Sequence, residues 1–196
     1  QLPLPKQIDS SVILAAIDIN KDVDGLSNNN LGALLKGEPN FIPATPLGVR
    51  ELLQRNGVVI PGKNVVVVGR STLVGKPLSA LLSIKSDKGD ATVTLAHSAT
   101  TDLSSVTKTA DILIVATGLA EFIDDTMIKE GAVIIDVGIN RVDDKNNKNG
   151  YKLVGDVNFE SVLSKASMVT PVPGGVGPMT IAMVVSNTLR AAKLNS

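Results

Sequence analysis

The sequence predicts an α/β protein: a doubly wound, mostly parallel sheet with helices on both faces. Three observations predict it. The run Asn64–Val68 (NVVVV) is β-branched throughout its last four residues, and unbroken apolarity marks a strand buried on both faces, as in a parallel sheet. Further β-rich segments at 92–95, 112–115 and 133–137 alternate with helical stretches. The 196 residues, 43% of them apolar, suffice for one sizeable core or two small ones.

Each element has its own signal. Asp9 or Ser10 caps a short helix within 8–17, whose apolar positions are Val12, Ile13, Ala16 and Ile17. Residues 21–25 form a charged turn, and the asparagines at 28–30 lead into a small helix ending at Gly37. Pro46 stands near the start of the next helix with Thr45 as its candidate cap; Val49, Leu52 and Leu53 form its apolar face, and Asn56 with Gly57 ends it. Pro61 and Gly62 turn the chain into the first strand. After Pro77 a helix continues over 78–84 and breaks at 85–89. Brief helices at 103–106 and 126–128 flank the third strand, and Gly131 precedes the fourth. The acidic, asparagine-rich stretch 143–149 reads as a solvated loop, 153–156 as a short strand or turn, 159–165 as a helix and 168–170 as the last strand. The Pro-Gly run 171–178 is too rigid and too permissive by turns for an idle linker, and it leads to a final helix over 180–192.

Composition removes several function classes. The formal net charge is zero, which gives no sign of a nucleic-acid footprint. No run reaches the roughly 18 apolar residues needed to span a bilayer, and no basic start precedes an apolar stretch, so the expectation is a cytoplasmic protein without a membrane partner. Cysteine is absent, which excludes disulfides, thiolate catalysis and cysteine-ligated metals. The single histidine, His97, excludes a multi-histidine zinc site within the chain, and no metal is expected. Acid–base work is left to carboxylates, lysines, Tyr151 or that imidazole.

The turn after the first strand, GRSTLVGKP, carries two readings. Gly69 and Gly75 do not keep the G-x-G-x-x-G spacing, so the turn can be a plain strand–helix junction. Pro77 after Lys76 excludes a phosphate loop of the G-x-x-x-x-G-K-[ST] kind. Its companions favour a cofactor. Arg70 and Ser71 follow the strand end directly, where an open parallel sheet places its ligands. The second strand ends in Ala96, His97 and Ser98, where a dinucleotide site reads the adenosine ribose; an acidic residue there would select the free hydroxyl of NAD. Ser98 with Arg70 suits a phosphate instead, which prefers NADP over NAD. The alternative is that Ser98 caps the next helix. The third and fourth strands end in Ala116, Thr117, Gly118 and in Val137, Gly138, Ile139, small edges suited to the close approach of a flat ring.

With these motifs in place, the sequence resembles the bifunctional methylenetetrahydrofolate dehydrogenase / methenyltetrahydrofolate cyclohydrolase family. The resemblance rests on QLPLP (1–5), KDVDG (21–25), PATPLG (43–48, with Ala44 where cysteine is usual), VVGRSTLVGKP (67–77), DVGIN (136–140), GDV (155–157) and TPVPGGVGPMT (170–180). It implies a Rossmann-like domain for the dinucleotide, oxidation of 5,10-methylenetetrahydrofolate to the methenyl cation with NADP, and hydrolysis of that cation to 10-formyltetrahydrofolate. On the matching positions it implies that Gly69, Arg70, Ser71, Val74, His97, Ser98, Thr117 and Gly118 hold the cofactor. Val137, Ile139 and Thr180 would line its nicotinamide side. Gln1 would support a catalytic lysine, Asp24 would hydrogen-bond the pterin, and Pro171, Gly174 and Gly175 would border the folate.

The expected organisation is a remnant of a first, folate-binding and catalytic domain over 1–45, a dinucleotide-binding domain over 46–175 and a C-terminal helix over 176–196 that returns to the first domain. The Tyr-x-x-x-Lys pair that the family carries on its first domain does not occur: Tyr151 has Gly155 four residues on. A cleaved piece with the rest as a second chain, a region outside this sequence, and a natural short form are the alternatives. A homodimer is expected, and a mitochondrial location stays open. The competing functions are a non-catalytic NADP-binding scaffold, an NAD-dependent dehydrogenase without cyclohydrolase activity, and a protein- or nucleic-acid-binding module.

Overall fold

In the computed structural model, which describes residues 2, 4–145 and 147–194, five strands pair in parallel. They are β1 (Asn64–Val68), β2 (Thr92–Ala96), β3 (Ile112–Val115), β4 (Val133–Asp136) and β7 (Met168–Val169), in the order β2-β1-β3-β4-β7. From β1 the chain moves outward to β2, then returns past β1 to β3. That reversal puts a topological switch point between β1 and β3, and ligands in such sheets sit beyond the strands' carboxyl ends there.

The valines of β1 alternate between two cores because side chains on a strand point to opposite faces. Val65 and Val67 join Ile112, Ile114 and Ile135 beneath Val49 and Leu53 of α3 (Ala44–Arg55) and Leu78 and Leu82 of α4 (Gly75–Ser83). Val66 and Val68 join Leu113, Val115 and Ile134 on the other face. There Leu103 and Val106 of α5 (Leu103–Thr107) and Val162 of α6 (Phe159–Val162) close the layer. The long α7 (Val176–Leu194) packs along α3. Two smaller helices precede the sheet. Asp9 caps α1 (Ser10–Ala16), and Ser27 caps α2 (Asn28–Lys36), which ends on Gly37 in the left-handed region. No described helix is long and apolar enough to cross a membrane.

Four expectations change, and one loop gains an unexpected setting. Thr45 does not cap α3: the helix begins at Ala44 after Pro43, which gives no side-chain hydrogen bond, and the Thr45 hydroxyl lies 3.0 Å from that of Thr180 instead. The α4 helix begins at Gly75, before Pro77 rather than after it. The α7 helix begins at Val176, inside the Pro-Gly run, because a proline in the first helical turn lacks an N–H that the helix does not need. The loop expected over 143–149 holds among the described residues, apart from Asp143, but it joins an antiparallel hairpin of β5 (Asn140–Asp143) and β6 (Tyr151–Val154) that was not expected. The Arg141 guanidinium stacks 3.8 Å over the Tyr151 ring and helps hold that polar pair of strands together. The helix expected over 159–165 is a single turn.

Candidate functional site

The carboxyl edge of the sheet is shaped first by two glycines. A methyl group on Gly69, whose φ is 123°, would overlap the Ala116 carbonyl oxygen at the end of β3. One on Gly75 would overlap the Gly69 carbonyl oxygen. The turn therefore folds back against the first turn of α4, which no side chain caps. Inside it, the Ser71 hydroxyl accepts the Val74 N–H at 3.1 Å and the Ser71 carbonyl accepts the Lys76 N–H at 3.0 Å. Arg70 is left exposed on the lip, with no ion pair or hydrogen bond for its guanidinium among the described residues.

The loop after β2 is equally defined. The His97 N–H donates to the Thr100 hydroxyl at 2.9 Å, and the Thr100 N–H donates to the His97 carbonyl at 2.8 Å. Nδ1 of His97 accepts the Ala99 N–H at 3.2 Å, which leaves Nε2 to carry the ring proton of the neutral imidazole. Asp102, not Ser98, caps α5. The alternative reading of Ser98 as a helix cap is therefore removed, and its side chain stays exposed.

These loops surround a crevice of about 500 Å³. Gly69, Arg70, Ser71, His97, Ser98 and Thr117 line it together with Val68, Thr100 and Ala116, and Leu103, Leu119 and Phe122 give it an apolar wall that sequence reasoning missed. Of the other expected cofactor residues, Val74 is the N-cap residue of α4 and Gly118 follows Thr117; neither lines the crevice.

Further along the same edge, a cavity of about 510 Å³ is lined by Val137, Ile139, Pro171, Gly174, Gly175 and Thr180, with Thr45 and Asp136 in its wall. The Val172–Pro173 peptide on its rim is cis. A third recess, about 480 Å³, holds Asp24 with Leu26, Pro43, Ala44, Leu73 and Val185 and shares Thr45, Thr180 and Ile181 with the second. Asp24 is half-buried, and its loop is tied down by Asn187 of α7, whose amide donates to the Val23 carbonyl at 2.8 Å and the Ile42 carbonyl at 3.0 Å. Gln1 lies outside the described residues.

Between the first two cavities stand two buried aspartates. Asp136 accepts the N–H groups of Gly138 at 2.9 Å, Asp156 at 3.0 Å and Val157 at 2.9 Å. Asp156 accepts those of Thr117 at 2.5 Å and Gly118 at 2.9 Å, and the Asn140 amide at 2.8 Å. Burial pushes the Asp136 carboxyl above its ordinary value, against the pull of its three N–H donors, and the Asp156 charge adds to the rise. The two motifs DVG and GDV are one site: a methyl on Gly138 would overlap the Asp156 carboxylate, and one on Gly155 the Asp136 carboxylate.

The arrangement is a groove along one sheet edge, with a free cation and hydroxyls at one end and a small-residue, apolar chamber at the other. Residues 43–196 match the family described as tetrahydrofolate dehydrogenase/cyclohydrolase, NAD(P)-binding domain.

The chain belongs to the tetrahydrofolate dehydrogenase/cyclohydrolase family.

Other members bear this out. The bifunctional protein FolD of Flavobacterium johnsoniae is 57% identical over 196 residues, which is all of this chain and 66% of that protein. FolD of Salinibacter ruber is 53% identical over 196 residues, 65% of its length. The crystal structure of the Campylobacter jejuni FolD methylenetetrahydrofolate dehydrogenase/cyclohydrolase superimposes with a TM-score of 0.91 at 46% identity over the whole chain and 66% of its own. The Trypanosoma brucei methylenetetrahydrofolate dehydrogenase-cyclohydrolase, solved with NADP cofactor and inhibitor, gives 0.91 at 43% identity and the same coverage. This chain thus spans about two thirds of the tetrahydrofolate dehydrogenase/cyclohydrolase proteins it matches.

Proposed function

We propose that the chain binds NADP along the carboxyl edge of its sheet. In the full-length protein it would serve oxidation of 5,10-methylenetetrahydrofolate to 5,10-methenyltetrahydrofolate and hydrolysis of that product to 10-formyltetrahydrofolate. The observation that carries the reading is the convergence of Arg70, Ser71 and Ser98 on one crevice at the switch point, with no acidic residue among the side chains that line it. A guanidinium without a partner among the described residues, beside two hydroxyls, fits an extra phosphate. The backbone approach made possible by Gly69 and Gly75 fits a dinucleotide's pyrophosphate.

When bound, NADP supplies the hydride acceptor. The chain's residues position and exclude water. Val137, Ile139 and Thr180 flank the flat ring, Pro171, Gly174 and Gly175 border the folate, and Asp24 accepts hydrogen bonds from the pterin amino group and ring N–H. Hydride transfer needs no strong base, because the folate nitrogen lone pair drives it. The hydrolytic step belongs to the part of the full-length protein that carries the Tyr-x-x-x-Lys pair. We place the enzyme in the cytoplasm as a homodimer, to be checked by fractionation and light scattering.

Titration calorimetry with NADP and NAD, followed by a dehydrogenase assay of the full-length protein on methylenetetrahydrofolate, tests the reading. Arg70→Gln should weaken NADP about 10- to 100-fold and leave NAD within about twofold, since only the former loses a charge-assisted contact. Equal weakening of both would remove Arg70 from phosphate recognition, and no NADP binding by the unmodified protein would end the cofactor reading.

A further inference from the structure

The aspartate pair raises a question that the cofactor reading leaves open. Two carboxylates, Asp136 at 3% and Asp156 at 0% exposure, lie beside one another with no ion-pair partner among the described residues. A stabilising core would not be built this way, because apolar residues of similar volume serve as well or better. What the pair does have is reach. Asp156 holds the Thr117 and Gly118 N–H groups of the loop after β3, where Thr117 lines the crevice. It also holds the Asn140 amide at the end of the loop after β4, where Val137, Gly138 and Ile139 line the second cavity. Through its own N–H it is bound to Asp136, whose N–H in turn donates to the Thr170 hydroxyl at 2.8 Å, next to Pro171 on the rim. One side chain thus bridges the walls of two cavities.

We propose that Asp156 is a positioning residue: it locks the walls of the crevice and of the second cavity in register, so that a dinucleotide spanning both finds them correctly spaced. This rests on the NADP reading above. It touches neither ligand end itself, so its contribution lies in preorganisation, and only a ligand that uses both ends should feel its loss. Adenosine 2′,5′-bisphosphate, which occupies the phosphate end alone, should not.

The test is calorimetry on the full-length protein with NADP and, separately, with adenosine 2′,5′-bisphosphate. Asp156→Asn keeps the shape and one acceptor oxygen but removes the charge that takes three N–H groups. It should weaken NADP about tenfold and change adenosine 2′,5′-bisphosphate less than about twofold, the loss expected of charge-assisted hydrogen bonds. Asn140→Ala cuts the second-cavity tether, together with the amide's 3.1 Å bond to the Gly155 carbonyl, leaves the Thr117 and Gly118 bonds in place, and should give the same pattern at about threefold; it carries the test alone if Asp156→Asn does not fold. Equal weakening of both ligands in the folded variants, or no weakening of either, overturns the proposal while leaving NADP binding intact. If the unmodified protein binds neither ligand, the cofactor reading itself has failed.

Discussion

Asp22 and Asp24 stand two residues apart in one turn, and the structure separates them completely. Asp22 is buried, and its carboxylate accepts the N–H of Leu26 at 3.2 Å, that of Ser27 at 2.8 Å and the Asn30 amide at 2.7 Å. Burial pushes its pKa up, but the Asn30 and backbone donors outweigh burial, so it settles below the ordinary 3.8. A carboxylate with a lowered folded pKa contributes stability that is fully present above the unfolded value and is lost as pH falls through the folded one. Asp22→Asn should therefore cost about 1–2 kcal/mol at neutral pH and lose less stability than the parent between about pH 5 and 2. Urea melts across that range check it, and superimposable acid limbs would remove Asp22 from the account. The family resemblance assigned the pterin contact to Asp24 and left Asp22 to structure, but the residues of KDVDG alone gave no physical reason for that split. What distinguishes them is Asn30, eight residues on, and no spacing rule reaches that far.

At the scale of elements, the glycine turn answers to both of its readings. Gly69 and Gly75 are required by backbone contact between the turn, β3 and α4, and the same contact puts Arg70 and Ser71 at the crevice. Gly75→Ala should cost about 1–3 kcal/mol, as overpacking against a backbone oxygen does, and weaken NADP in the same titration. Gly32→Ala is the control. It lies within α2 with no atom within 4 Å of the added methyl, so it should be neutral or stabilising by up to about 1 kcal/mol. If Gly75→Ala behaves like Gly32→Ala, the packing account of the turn is wrong. The central parallel strands were legible as apolar runs, and β2 as an alternation of threonine with Val93 and Leu95 that ends in the small Ala96. The hairpin was not, because β5 and β6 are half-exposed and paired through polar residues such as Arg141 and Tyr151. The reading of the last helix as 180–192 lost its first four residues because proline and glycine signal a break unless they fall in a first turn, although the division of the chain at 176 meets the helix start. The crevice residues after β1 and β2 were legible because strand ends fix their place. The aspartate bridge was not, since it joins loops that are 39 residues apart at Thr117 and Asp156.

For the whole molecule, the surface of α7 is the feature still without a role. Asn187 and Ala191 are buried, while Ile181, Val185 and Leu189 are 68%, 64% and 57% exposed at four-residue spacing on one face, and Val12 of α1 is 62% exposed. An apolar stripe of this length is costly in water and marks a surface that something covers. The related proteins are about half as long again as this chain, and Ile181 and Val185 also line the recess that holds Asp24. A cover contributed by the part of those proteins that this chain does not match would therefore close the recess that holds Asp24. Leu189 lines none of the cavities described above and isolates the effect. Leu189→Lys in this chain alone should reduce binding of an apolar-surface dye and concentration-dependent association, with NADP affinity unchanged. In the full-length protein the same substitution should cost about 2–3 kcal/mol, because it then places a charge in a covered interface. If the substitution is silent in the full-length protein, the stripe is a solvated face, and the recess that holds Asp24 is not closed by a cover over α7.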